Sequence, residues 1–68
     1  MKFIGDANQV LIITDCKNIK EFAENIKYSH HYISGIFNGD LCTKRLAMKM
    51  SNYIGLPLQM LFKERELL

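Results

Sequence analysis

The chain has no tryptophan, a single proline, four glycines and two cysteines among its 68 residues. Each shortage removes a class of structure. With so few chain breakers, many short strands joined by tight turns are disfavoured, and a handful of short helices is favoured. Cys16 and Cys42 lack CxxC spacing, so they form neither a disulfide framework nor a thiolate metal site; free, largely buried thiols in a reducing compartment are expected. The two histidines, His30 and His31, are adjacent and so cannot offer the i, i+4 geometry of a helical metal pair. Long apolar runs are missing as well. Val10 to Ile13 is a run of four, whereas a secretory signal core takes about 7–15 residues and a membrane span about 18–20. The expectation is a cytoplasmic protein with no cofactor and no metal.

What is present suits a small packed domain. Hydrophobic residues make up 49% of the chain, enough for a core and too much for a disordered tail. A chain of this size makes one domain, 1–68, that buries about 60% of its unfolded surface. The core is expected over about residues 6–62, with 63–68 as a tail that extends the last helix or frays. The net charge is only +2, but it is unevenly placed. Between Asn25 and Tyr53 four cations (Lys27, Lys44, Arg45 and Lys49) stand against Asp40 alone, whereas the first 24 residues carry one more acid than base. The positive field belongs to the middle and second half of the chain.

The clearest helix starts after Asn18. Ile19, Phe22, Ala23 and Ile26 fall at i, i+3, i+4 and i+7, one apolar stripe. Asn18 is a good N-cap, and Glu21 stands where its carboxylate can reach back to the cap amide. Ser29 offers a second N-cap three residues after Ile26. Ile33, Ile36 and Phe37 then give the new helix an inward face, and Gly39, beside Asn38, supplies the left-handed residue that ends it. Two helices of about two turns joined by roughly three residues form a helix-turn-helix unit. A further helix is capped by Thr43 (or, less well placed, Asp40). It buries Leu46, Ala47, Met50 and Ile54 and closes at Gly55. Pro57 suits the first position of a short last helix carrying Leu58, Leu61 and Phe62.

The stretch Val10-Leu11-Ile12-Ile13-Thr14 is β-branched and locally prefers a strand. No second strand pattern exists to pair with it, and a lone strand is unstable. Residues 6–15 therefore read as a first helix, with Val10, Leu11, Ile13 and Thr14 toward the core. The expected fold is all-α, a compact bundle of about five short helices.

Taken together, NIKEFAENIKYSHHYISGIFNGD followed by KRLAMKMSNYIGLPLQMLF resembles the phage repressor and Cro type of helix-turn-helix domain. Ala23 matches the small residue of the motif's first helix, and Ile33 and Ile36 match the buried positions of the recognition helix. Ser29, Tyr32, Ile33 and Ser34 match a Ser-x-x-Tyr-Ile-Ser run, and Phe37-Asn38-Gly39 looks like the end of the recognition helix in lambdoid repressors. The later Ile-Gly-Leu-Pro-Leu-x-x-Leu-Phe is similar to the family's last two helices. The likeness spans roughly residues 6–62. It departs from the family at Lys27, where the turn usually has glycine, and at Ile19, where a phosphate-binding glutamine is common.

The resemblance implies a lambda-repressor-like fold and a sequence-specific DNA-binding regulator, a homodimer on double-stranded operator DNA. Its recognition helix, about residues 29–38, enters the major groove. His30, His31, Ser34 and Gly35 would contact bases. Gly35, without a side chain, would admit close backbone approach or a thymine methyl. Ser29, Tyr32, Asn38, Lys44 and Arg45 would hold phosphates. An enzyme is not expected, because adjacent histidines and serines on one exposed helix lack the pocket that nucleophile and base require. The competing reading is a partner-binding module that uses the same fold to engage a repressor protein. Leu56, Met60, Leu67 and Leu68 would then be its exposed surface.

Overall fold

The computed structural model describes residues 1–64 of the 68. Among the described residues five helices run in order: α1 Ala7–Ile13, α2 Ile19–Ile26, α3 His30–Phe37, α4 Lys44–Ile54 and α5 Leu58–Leu61. A small antiparallel sheet joins the two ends, β1 Lys2–Phe3 pairing with β2 Phe62–Lys63 in the register Lys2 to Lys63 and Phe3 to Phe62. The molecule is thus mostly helical but not all-α.

The caps explain where the helices begin and end. Asp6 accepts from Asn8 N–H at 2.8 Å and starts α1, so tertiary packing overrides the strand preference of the β-branched run. Asn18 accepts from Glu21 N–H at 2.8 Å. Glu21 reaches back one residue beyond the cap, to Lys17 N–H at 3.3 Å. Thr43 accepts from Leu46 N–H at 3.2 Å. Ser29 sits at the N-cap of α3 without a side-chain capping bond. Gly39 and Gly55 adopt φ of 114° and 86°, conformations that suit glycine, just past α3 and α4.

Phe22, Ile33, Ile36, Leu46, Met50 and Val10 form the fully buried centre. An aromatic chain binds the sheet to the helices: Phe62 meets Phe3 at 5.6 Å, Phe3 meets Phe37 at 4.8 Å, Phe37 meets Phe22 at 5.5 Å, and Phe22 meets Tyr53 at 5.4 Å. Such edge and tilted pairs add to the area they bury. Both cysteines are free and buried, as expected.

Four expectations need correction. Ile13 is half exposed and does not face the core, because the inward side of α1 runs through Val10, Leu11 and Thr14, and at 100° per residue Ile13 falls on the other side of Val10. Phe62 is not helical; it turns extended after a single turn of α5 so that its ring meets that of Phe3 edge to face. The core therefore reaches outside residues 6–62 to include Phe3, and Lys63 pairs as strand instead of beginning a tail. Leu56 is partly buried, packed against the core, and is not the fully exposed residue expected. Met60 is exposed as expected, whereas Leu67 and Leu68 lie outside the described residues.

Candidate nucleic-acid interface

α2 and α3 are joined by the three residues Lys27–Ser29. Lys27 adopts φ 63° and ψ 44°, the left-handed conformation for which glycine is suited. Its N–H bonds Glu24 C=O at 3.1 Å, and Tyr28 N–H bonds Ala23 C=O at 2.9 Å, closing α2 in the manner of a Schellman turn. The chain then turns into α3, which packs closely on α2.

At 100° per residue, burial of Ile33 and Ile36 orients the rest of α3. His31, Gly35 and Asn38 fall on the opposite face, flanked by Ser34. His30 lies at one margin and Tyr32 at the other. His30, His31, Tyr32 and Asn38 are exposed, and Ser34 and Gly35 are half buried. The imidazoles of His30 and His31 lie 5.4 Å apart. The Ser29 hydroxyl, free of capping duty, stands at the helix entrance.

Cations border this face on three sides. At the His30 margin, Lys17 and Lys20 share a shallow groove with His30, Leu11, Asn18 and Ile19. At the Tyr32 margin, Lys49 Nζ lies 5.2 Å from the centre of the Tyr28 ring, which in turn neighbours the Tyr32 ring at 6.1 Å. At the C-terminal end, Lys2 Cε packs beside Gly39, 3.8 Å from where a β-carbon would stand. Lys17, Lys20 and Lys2 escape a reading of the sequence because they lie in other elements, and only the fold brings them to α3.

Lys44 goes elsewhere. It lines a second groove with Met1, Ile4, Leu58, Phe62 and Lys63. Arg45 is exposed at the start of α4. The structure therefore gathers His30, His31, Ser34, Gly35, Tyr32 and Asn38 on or beside one helix face, and sets Lys44 on another groove.

The bare Cα of Gly35 is not open to an approaching base. The Asp40 carboxylate fills the space where a residue-35 side chain would sit. The signal for this was present in the short spacing Gly35 to Asp40 across Gly39, but a carboxylate in the loop after α3 reads first as a capping candidate.

Among the described residues, no group of three or more histidine, cysteine or acidic side chains is placed to hold a metal ion, and no helix is long and apolar enough to cross a membrane. Polar groups do gather under the α1–α2 turn. Asn25 donates to Tyr53 Oη at 2.9 Å and to Cys16 Sγ at 3.6 Å, and Cys16 Sγ lies 3.7 Å from Tyr53 Oη. The hydrogen bond with Cys16 pushes the Tyr53 phenol above its ordinary value. These contacts tie α2 to α4 behind the α3 face. No family model, curated protein or solved structure matches this chain.

Proposed function

We propose that the chain is a lambda-repressor-like helix-turn-helix domain that binds double-stranded DNA in a sequence-specific manner as a transcriptional regulator. In this reading α2 and α3 are the two helices of the motif and α3 enters the major groove. The observation that carries it is the border of lysines from three other segments of the chain around the one exposed polar face of α3. A major groove about 12 Å wide accepts a helix, and the phosphates on its two rims lie where flanking cations can pair with them. His30, His31, Ser34 and Asn38 then meet base edges or the adjoining backbone. Ser29 and Tyr32 supply hydroxyls, and Lys17, Lys20, Lys49 and Lys2 supply charge. Arg45, exposed at the start of α4, is a further candidate, whereas Lys44 lines the separate groove and is left out of this face. Recognition by a homodimer would place two half-sites about one helical turn, roughly 34 Å, apart.

A second reading, binding to a repressor protein, is favoured by one observation: α1 exposes Ile12 at 71% and Ile13 at 48%, and α5 exposes Met60 at 61%. Substitutions on the two faces separate the readings. Under the DNA reading, Lys17→Ala with Lys20→Ala weakens binding to labelled duplex by about tenfold at low salt, while Ile12→Ser leaves DNA affinity unchanged. Wild-type protein that ignores duplex DNA at low salt would favour the protein-binding reading instead.

A further inference from the structure

Gly35, which falls between His31 and Asn38 along the exposed face of α3, has no side chain of its own, and a carboxylate from outside the helix occupies its place. After Gly39 the backbone folds back so that Asp40 N–H donates to Gly35 C=O at 2.9 Å. A β-carbon on Gly35 would stand 2.5 Å from Asp40 Oδ2 and 3.4 Å from Asp40 Cγ. Asp40 is nevertheless exposed, and no side-chain hydrogen bond among the described residues uses its carboxylate. An acid with free acceptors, held amid a border of lysines, works against phosphate attraction and caps no helix.

We infer that Asp40 is the side chain that reads a base at this position, accepting a hydrogen bond from the N4 amino group of a cytosine in the major groove. The inference rests on the DNA-binding reading above. In the major groove guanine presents only the acceptors O6 and N7, and thymine presents the acceptor O4 beside a methyl group, so both repel a carboxylate. Adenine offers a donor at N6 but sets the acceptor N7 beside it. Cytosine presents its amino group alone, and an ionised carboxylate can only accept. Gly35 is the positioning residue: a side chain there would take the seat of the carboxylate and push it off the face.

The test is selection of binding sites from random-sequence duplex DNA by the full chain, run in parallel for wild type, Asp40→Asn and Gly35→Ala, with helical content checked by circular dichroism. Wild type is expected to enrich cytosine at one position of each half-site, and replacing that C·G pair by T·A should lower affinity about tenfold. Asparagine pairs with adenine N6 and N7, so Asp40→Asn should move the preference at that position alone to adenine. Gly35→Ala keeps the acid but displaces it, and should flatten the same position. If all three proteins bind DNA and select one identical site, Asp40 reads no base, although the domain still binds DNA. If none enriches a site and none binds duplex at low salt, the DNA-binding reading fails and takes this assignment with it.

Discussion

At the scale of single residues, three side chains have measurable effects on stability. Lys27 holds the left-handed conformation at the turn between α2 and α3, which costs an L-residue about 1–2 kcal/mol. Lys27→Gly should therefore raise stability by about 1 kcal/mol, seen as a higher urea midpoint at unchanged m-value; a lower midpoint would contradict the account of the turn. Cys42 is buried beside the chain start, and desolvation raises its thiol above the ordinary value of 9.0, opposed by the N-terminal ammonium. A folded value above the unfolded one means that the native state holds its proton more tightly. That stabilisation is fully present below the unfolded value and is lost as pH rises through the folded one. The raised Tyr53 phenol acts in the same direction from its ordinary value of 10.0. Urea midpoints should thus fall as pH rises past about 9, and Cys42→Ala should shallow the fall. Sequence reading found Lys27 because a motif position that wants glycine held something else. It missed Asp40, because the partner of a loop carboxylate depends on how the backbone folds back, and no local pattern encodes that.

Elements were legible in proportion to the number of turns over which their pattern repeats. α2 and α4 carry apolar stripes and caps, and both appear with the expected buried faces. α1 was readable only by elimination, and Ile13 falls off its buried side. The two strands were not readable at all. Each has two residues, too few for an alternating pattern, and each is fixed by a partner at the other end of the described chain that buries Phe3 against Phe62. Two caps offer a paired test. Thr43 makes a capping hydrogen bond, so Thr43→Ala should cost about 1 kcal/mol of stability. Ser29 occupies the same kind of position without such a bond, so Ser29→Ala should change stability by less than about 0.5 kcal/mol. Under the DNA-binding proposal it should nonetheless weaken binding to duplex, because the hydroxyl makes no capping bond and would be free to meet a phosphate. Equal losses of stability in the two variants would remove Ser29 from the interface.

For the molecule as a whole, a small core is held at both ends. The radius of gyration, 11.1 Å, matches the roughly 11 Å expected for a folded chain of this length. The aromatic chain from Phe62 to Tyr53 joins the terminal sheet to the helices that present α3. The sequence located α3 and its buried and exposed faces, whereas the cations around it became visible only when separate segments were brought together. The net charge of +2 understates that local field. The most direct measurement of the central claim is a salt titration of binding to random-sequence duplex DNA. With about four to six phosphate contacts per dimer, log affinity should fall linearly with log salt at a slope of about −4 to −5. The Lys17→Ala, Lys20→Ala and Lys49→Ala triple variant should be visibly shallower. Absence of binding at low salt, or binding that salt leaves unchanged, would contradict the claim that this face grips DNA.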